Sequence, residues 1–354
     1  MRVVSVLSTL LAVQLGLAAL LATRHDPLAA ARIDTPLLPP SAVQRTDRII
    51  IEDKEAKAAG SAATVATAST AAHAASPGNA SETSWVEIQK KDGQWVLPGQ
   101  FDAPADPNRV RTLLDRLGAL RRGLPIATSE ASLRRFKVAD GDFERRVQLK
   151  AGGASLDTIY LGTSPGLRKT DARTSADHAV YAVDLLAYEV PCDPRSWLNS
   201  DLLRDDAEGL TELDLGEDSS NRLQLLKQSD TTGHSTTWTD PALPGSVHID
   251  SAHAETLITQ LSQMQVDKVL GTDVRPEWQQ ERPVLSLKLK DGKSRTVNWI
   301  LSKPSTGDYY VLKSSAHPWF FAVTSAQAKA IIDAGARDQL VAAGKVEAKP
   351  SSKS

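Results

Sequence analysis

Residues 106–120, DPNRVRTLLDRLGAL, occur a second time in outline as residues 250–264, DSAHAETLITQLSQM. Both stretches begin with aspartate and repeat apolar residues at the three- and four-residue spacing of a helix that buries one face. The matching positions, each 144 residues apart, are Asp106, Val110, Leu113, Leu114, Leu117 and Leu120, and then Asp250, Ala254, Leu257, Ile258, Leu261 and Met264. The sequence therefore contains two copies of the same helix pattern, which indicates a tandem duplication.

Strand patterns around the two helices repeat as well. Residues 159–165 (IYLGTSP) are echoed by 298–304 (NWILSKP), and 178–183 (HAVYAV) by 317–323 (HPWFFAV), with offsets near 139. The connections between successive strands are short, as in the hairpin predicted around Asp92-Gly93, and short connections imply antiparallel pairing. The sequence predicts an α+β fold with two tandem repeats behind an N-terminal transmembrane helix. Each repeat is expected to be a mainly antiparallel sheet covered by an amphipathic helix.

The N-terminal segment carries the targeting information. Val3 to Ala22 is a run of about 20 mostly apolar residues, the length of a membrane-spanning helix. A cleaved signal peptide has a shorter apolar region and small residues before the cleavage site, where Leu20 would stand here. This favours an uncleaved signal anchor, with the rest of the chain outside the cytoplasm. We expect a single-pass protein of the inner membrane whose bulk is periplasmic.

Composition shifts divide the remaining chain. Between residues 56 and 84, 21 of 29 residues are Ala, Ser or Thr, which leaves no sustained apolar face to bury. The predicted organisation is a signal anchor at 1–25, a stalk at 26–44, a first α+β repeat at 45–204 with a low-complexity insertion at 56–84, a second repeat at 205–343, and a disordered tail at 344–354.

The overall charge and the cysteine content argue against several kinds of partner and site. The 354 residues carry a net charge of -2, which argues against nucleic acid as a partner. Cys192 is the single cysteine, so neither an intramolecular disulfide nor a cysteine-based metal site is possible. It lies between Pro191 and Asp193 with no visible activating base, and a structural thiol is favoured over a nucleophile.

Short motifs, taken in order, resemble the domain-of-unknown-function family 4340. They are Asp92-Gly93-Gln94-Trp95, Ala105-Asp106, Leu117-Gly118-Ala119-Leu120, Leu161-Gly162, and Trp197-Leu198-Asn199-Ser200-Asp201-Leu202-Leu203. The likeness extends over most of residues 45–340 and departs at the Ala/Ser/Thr insertion and at the polar Asn199. The resemblance implies a membrane-anchored accessory role beside ABC-type transport systems of the gliding-motility auxiliary kind, and it carries over no catalytic residue.

Motifs for catalysis or cofactor binding are missing from the sequence. It contains no Gly-x-Ser-x-Gly elbow, phosphate loop, dinucleotide fingerprint or His-Glu-x-x-His. His248, Asp250 and His253 cluster near a helix start, but two histidines five residues apart do not share a helical face, and Asp250 is needed as a cap. We therefore predict no catalytic, cofactor-binding or metal site, and interpret His178 and His317, at equivalent places in the repeats, as strand-end residues.

Charge distribution suggests an interaction surface. Residues 109–150 hold 11 basic and 5 acidic residues, whereas residues 184–218 hold 11 acidic and 2 basic ones. The basic face is predicted to meet anionic lipid or an acidic partner, and the alternative is that these are solvated charges that partly neutralise each other within the fold. The candidate surface consists of Arg121, Arg122, Arg134, Arg135, Arg145 and Arg146.

The leading hypothesis is a non-enzymatic, membrane-tethered scaffold or accessory protein of an ABC-type transport or envelope assembly. Its partners would be inner-membrane or envelope proteins, including ABC transporter subunits. A glycan- or peptide-binding module that uses a groove between the repeats is the alternative. An unrecognised hydrolase is a third hypothesis.

Overall fold

The computed structural model describes residues 34–54, 85–166, 168–216, 222–229 and 236–343, together with Gln14. The predicted insertion at 56–84 and tail at 344–354 lie outside these residues, as does the predicted anchor at 1–25 apart from Gln14. Within the described part of the chain, no helix combines the length and the apolar character needed to cross a bilayer.

The described residues form short helices and many short strands. The helices are α1 Pro40–Arg45, α2 Pro107–Ala119, α3 Glu130–Arg135, α4 Leu202–Ala207, α5 Ser251–Ser262, α6 Ser325–Ala334 and α7 Arg337–Leu340. The strands of the first part are β1 Arg48–Asp53, β2 Trp85–Lys91, β3 Gln94–Leu97, β4 Ala103–Pro104, β5 Val138–Ala139, β6 Asp142–Phe143, β7 Arg145–Ala151, β8 Ala154–Leu161, β9 Thr170–Thr174 and β10 Tyr181–Val183. Those of the second part are β11 Leu210–Leu215, β12 Leu223–Ser229, β13 Thr236–Thr239, β14 Val247–Ile249, β15 Lys268–Gly271, β16 Leu285–Asp291, β17 Thr296–Ser302, β18 Tyr309–Ser314, β19 Phe320–Thr324 and β20 Val341–Ala343.

Two eight-stranded sheets dominate the fold. Their strand orders are β10-β9-β8-β7-β1-β2-β3-β4 and β13-β12-β11-β16-β17-β18-β19-β15, and β5-β6 and β14-β20 form two small sheets. Neighbouring strands pair antiparallel within each part, for example β7 with β8 and β16 with β17. The predicted α+β class with mainly antiparallel sheets is confirmed.

The two sheets follow the same plan, as a duplication requires. The order β10-β9-β8-β7-β1-β2 in the first sheet corresponds to β19-β18-β17-β16-β11-β12 in the second. The registers agree as well, because Ile159 faces Thr174 in the first sheet just as Trp299 faces Ser314, each 140 residues later, in the second. Two sheets of eight strands therefore fit the predicted tandem repeats.

The paired helices bury the same positions. In α2 and just after it, Val110, Leu113, Leu117 and Leu120 are at most 5% exposed, and the equivalent Ala254, Leu257, Leu261 and Met264 at and beyond α5 are at most 1% exposed. Leu114 and Ile258 lie at the edge of the stripe, and both are half-buried. This stripe is the apolar face that the sequence predicts. Asp250 caps α5 as expected, since its side chain accepts hydrogen bonds from the backbone nitrogens of Ala252 and His253.

Glycine is required at two kinds of position in the first part. Asp92-Gly93 and Gly152-Gly153 have positive φ at both residues, which is the backbone of a tight hairpin turn. Gly162 has a different role, because a Cβ at this position would overlap the backbone carbonyl groups of Phe136 and Lys137. The Leu161-Gly162 strand end therefore allows a close approach of two backbone segments.

By its internal contacts the chain divides into two compact units, residues 1–90 with 108–193 and residues 91–107 with 194–354. Residues 34–44, inside the predicted stalk, belong to the first unit. Leu37 and Leu38 are buried there, and the backbone nitrogen of Leu37 donates to the carbonyl of Leu120. α4 spans the predicted repeat boundary between residues 204 and 205. The predicted repeat boundaries follow the sequence repeat, whereas the two units follow internal contacts. The repeat boundaries therefore remain a prediction.

One predicted helix is shorter than expected. The pattern from Ser325 to Leu340 predicted a continuous helix, but α6 ends at Ala334, and α7 and β20 follow separately. Gly335 closes α6, with its backbone nitrogen bonded to the carbonyl of Ile331. Glycine has a low helix propensity, so the helix stops there although the apolar spacing continues.

Candidate functional site

The six predicted arginines lie in different environments. Arg145 is mostly buried, because its guanidinium pairs with Asp53 at 2.9 Å and donates to the carbonyl of Val190 and the sulfur of Cys192. Arg146 pairs with Glu52 and lies over the ring of Phe143. Both side chains therefore neutralise acidic residues of β1 and link β1 to β7.

Of the other four arginines, Arg122 is half-buried and the remaining three are exposed. Arg121 donates to the carbonyls of Gly118 and Leu120 beyond the end of α2, and Arg122 donates to the carbonyl of Leu37. Arg134 and Arg135 are exposed in the last turn of α3. Arg121, Arg134 and Arg135 are therefore the exposed members of the six.

Cys192 lies beside Arg145, 3.1 Å from the Nη1 atom. Burial raises the pKa of the Cys192 thiol to about 11, and the neighbouring guanidinium only partly opposes this effect. A thiol with such a pKa is protonated at neutral pH and is a poor nucleophile. This agrees with the structural role expected for it.

Asp250 and His253 are close together but serve the helix. The Nδ1 atom of His253 lies 3.1 Å from a carboxylate oxygen of Asp250, which also caps α5. Backbone and side-chain hydrogen bonds from His253 lower the pKa of Asp250. Across the described ranges, no three His, Cys, Asp or Glu side chains converge closely enough to hold a metal ion.

A buried polar network in the second unit was not predicted from the sequence. Its centre is Asp206 on α4, whose side chain is 1% exposed. Its carboxylate accepts hydrogen bonds from Ser314 Oγ at 2.6 Å and Trp299 Nε1 at 3.1 Å, and it lies 3.4 Å from His317 Nε2. Arg295 approaches to 4.0 Å. Four donors from the sheet and its turns thus surround one carboxylate from the helix.

The electrostatics of this network favour the ionised carboxylate. Burial alone raises the pKa of Asp206, but the hydrogen bonds from His317, Ser314 and Trp299 outweigh this effect and hold the pKa below its ordinary value. Ser314 is fully buried, so a substrate cannot reach its hydroxyl group in this conformation. The arrangement joins α4 to β17 and β18, and its chemistry is that of a structural connector.

Sequence reasoning missed Asp206 because it stands in the acidic run 184–218, where neighbouring acids such as Asp205 are exposed. A difference between the two repeats could have revealed that a buried acceptor is needed here. Trp299 and Ser314 replace the pair Ile159 and Thr174, so an indole N–H appears in the second copy where the first has an alkyl group. A buried indole needs a hydrogen-bond acceptor nearby.

Three large apolar side chains of the first unit are exposed. Leu124 is 73% exposed, Ile126 44% and Tyr188 76%. The segment that holds Ile126 is tied to the strand edge, since its backbone nitrogen donates to the carbonyl of Val180. Tyr188 borders a polar depression of about 330 Å³ beside the ion pair of Arg116 and Glu189. We call Leu124, Ile126 and Tyr188 the apolar rim.

Comparisons with known proteins place the chain in a family. A family model described as a domain of unknown function (DUF4340) matches residues 95–283, which is more than half of the chain. Neither the curated proteins nor the solved structures contain a match. The matched segment includes α2, the end of β8 and α4, which contain most of the motifs on which the resemblance in the sequence depends. The chain belongs to the DUF4340 family.

Proposed function

We propose that this protein is a membrane-tethered, extracytoplasmic scaffold or accessory protein of an ABC-type transport or envelope assembly, and that it acts through protein contacts. The tether is the apolar segment within residues 1–25, whose length suits a bilayer. The partners are inner-membrane or envelope proteins, including ABC transporter subunits.

The observation that carries this proposal is the apolar rim. Neighbouring apolar side chains that remain exposed are characteristic of surfaces that bind other proteins, and Leu124 and Ile126 stand two residues apart on one segment. Tyrosine is also enriched among the residues that dominate binding energy at interfaces, and Tyr188 stands beside a depression that can receive a partner side chain. Leu124, which is 73% exposed, would lose that apolar area from water on binding.

The exposed pair Arg134 and Arg135 supplies the charged part of the same proposal. Arginines at the edge of an interface raise the rate of association with an acidic partner more than its final affinity. Arg145 and Arg146 contribute less, because Asp53 and Glu52 already neutralise them.

A site-specific crosslinking experiment tests the proposal in native membranes. A photo-reactive phenylalanine analogue replaces Leu124 or Tyr188 in the full-length chain, and adducts are identified after illumination. The matched control carries the same analogue at Val284, which is 47% exposed in the second unit. We expect adducts with a membrane transport or envelope protein from the two rim positions and a much lower yield from Val284.

Two results would contradict the proposal. Equal adduct patterns at the rim and at Val284 would show that the rim has no special contact. Extraction of the chain from membranes by alkaline carbonate would show that residues 1–25 do not anchor it.

A further inference from the structure

A polar depression of about 400 Å³ lies on the sheet of the second unit. Its floor crosses three neighbouring strands, where Asp214 of β11 faces Lys288 of β16 and Lys288 faces Asn298 of β17. Because side chains alternate along a strand, these three form a row on one face, opposite to the buried Leu213 and Trp299. Arg222, just before β12, also lines the depression, as do the apolar residues Leu287 and Ile300.

Asp214 is the unusual member of this row. Its side chain is only 6% exposed, and its Oδ2 atom accepts a hydrogen bond from Arg222 at 2.5 Å. Its Oδ1 atom is buried and accepts no hydrogen bond from any residue that the structure describes. A buried acceptor left without a donor costs about 1–3 kcal/mol, and such atoms are rare in folded proteins.

The cations of the depression are better exposed than the acid. The side chain of Arg222 is 49% exposed, and Lys288 and Asn298 are also exposed. Because Asp214 is buried, its ion pair with Arg222 is costly to break, so Arg222 stays on Oδ2 and a ligand would have to supply the donor for Oδ1. The depression therefore combines a hydrogen-bond acceptor on Asp214 with the positive charges of Arg222 and Lys288.

The fold itself does not require this row. The equivalent register in the first sheet places Ile50 opposite Gln148 and Gln148 opposite Thr158, and none of these residues is charged. Since both sheets are built on the same plan, this charged row distinguishes the second copy from the first.

We propose that this depression binds a small zwitterion of the amino-acid or short-peptide type. The ammonium group of the ligand donates to Oδ1 of Asp214, and its carboxylate lies between Arg222 and Lys288, with the amide of Asn298 as a further hydrogen-bonding group. A volume of about 400 Å³ lies within the range of ligand pockets, roughly 300–1,000 Å³. The site is independent of the apolar rim, which belongs to the other unit.

Titration of the full-length protein with L-alanyl-L-alanine, followed by isothermal calorimetry and ligand-observed NMR, tests this site. Two blocked probes accompany it, N-acetyl-alanyl-alanine without the ammonium group and alanyl-alanine amide without the carboxylate. We expect each blocked probe to bind about tenfold more weakly, since a hydrogen bond to a charged group contributes about 1.5–3 kcal/mol. Free L-alanine, tested in parallel, distinguishes an amino-acid site from a peptide site.

Three variants assign the contacts. Asp214→Asn should weaken the dipeptide about tenfold and abolish the difference caused by N-acetylation. Lys288→Gln should reduce the preference for a free carboxylate, since Arg222 remains as the second cation. Lys290→Gln is the matched control, because this lysine lies two residues along the same strand but is paired with Glu212 at 2.8 Å, and its binding should equal that of the parent protein. Melting temperatures verify that each variant is folded.

The proposal fails if none of the probes binds the parent protein at concentrations up to about 10 mM, ten times a weak Kd of about 1 mM. It also fails if folded Asp214→Asn and Lys288→Gln proteins bind all the probes as the parent does.

Discussion

Replacement of Asp206 by asparagine would test the buried network of the second unit. The substitution keeps the size of the side chain and one acceptor oxygen, but it removes the charge and introduces an NH2 group. Ser314 Oγ and Trp299 Nε1 both donate to the same oxygen, Oδ2, and the amide oxygen keeps these two bonds when it takes that place. The NH2 group then takes the place of Oδ1, where it faces His317 Nε2 and the guanidinium of Arg295, and both lose the negative charge beside them.

The expected cost follows from these contacts. Each hydrogen bond to a charged group contributes about 1.5–3 kcal/mol, and removal of one member of a buried charged pair typically costs about 3–5 kcal/mol. The variant no longer has to bury a charge, which offsets part of this loss. We expect a net destabilisation of about 3 kcal/mol, which lowers the Tm of a unit of this size by about 6–12 °C.

The effect should depend on pH in a definite direction. Burial raises the pKa of Asp206, but the hydrogen bonds from His317, Ser314 and Trp299 outweigh it, so the folded pKa lies below the unfolded value. A depressed carboxyl pKa contributes stability above the unfolded pKa of about 3.9, and this stability is lost as the pH falls through the folded pKa. The difference between the parent and Asp206→Asn should therefore be constant near neutral pH and shrink below about pH 4.

Urea unfolding of the full-length protein, monitored by tryptophan fluorescence between neutral pH and about pH 3, measures both effects. Asp205→Asn is the matched control, because this neighbour on α4 is exposed and carries the same charge. Its unfolding free energy should lie within about 0.5 kcal/mol of the parent's. The reasoning is refuted if Asp206→Asn and Asp205→Asn unfold at the same urea concentration.

Three further predictions concern the first unit. Alkylation of Cys192 by iodoacetamide should be slow near pH 8 and accelerate toward pH 11, since burial raises the thiol pKa to about 11; a rate near pH 8 equal to that of a short cysteine peptide would contradict this. Gly162→Ala should cost about 3 kcal/mol or more in a thermal melt, because its Cβ would overlap backbone carbonyl groups, whereas Gly123→Ala, with open space around it, should melt like the parent. Equal melting of the two variants would disprove the close approach. The double change Arg134→Gln and Arg135→Gln should lower the yield of partner crosslinks by at most about fivefold and weaken their dependence on salt, and unchanged salt dependence would remove these arginines from the contact.

Apolar periodicity made the two main helices predictable. The positions from Val110 to Leu120 and from Ala254 to Met264 were assigned to one buried stripe, and the structure buries them. Spacing suffices here because an amphipathic helix has few ways to exclude its apolar face from water. Short elements such as β5, β6 and α3 were not predicted, since two to six residues contain too little periodicity to be distinguished from a loop.

Charge runs were a weaker guide than apolar spacing. Arg145 and Arg134 belong to the same basic run, yet one is paired with Asp53 and the other is exposed. Asp205 and Asp206 are adjacent in the acidic run, yet only the second is buried. A charge count treats such neighbours alike, whereas the free energy of a charge depends on burial and on its partner. Those depend on pairing across strands, which sequence proximity does not reveal.

The two copies place different polar groups at equivalent buried positions. In equivalent registers, Ile159 and Thr174 become Trp299 and Ser314, and the second pair gains Asp206 as a common acceptor. In the first copy the hydroxyl of Thr174 is buried and has no hydrogen-bond partner in the described chain.

A duplicated fold must keep its apolar registers to stay folded, but it is free to change the polar residues between them. The second copy has two sets of charged contacts, on opposite faces of one sheet, that the equivalent registers of the first copy lack. On one face, Asp206 joins α4 to the strands, and its carboxylate accepts hydrogen bonds from Ser314 and Trp299. On the other, Asp214 retains an oxygen without a donor. A gain in stability explains the contacts of Asp206. It does not explain Asp214, because a buried oxygen without a hydrogen-bond donor costs free energy until a donor binds it. The second face is accordingly where a bound ligand should be sought first.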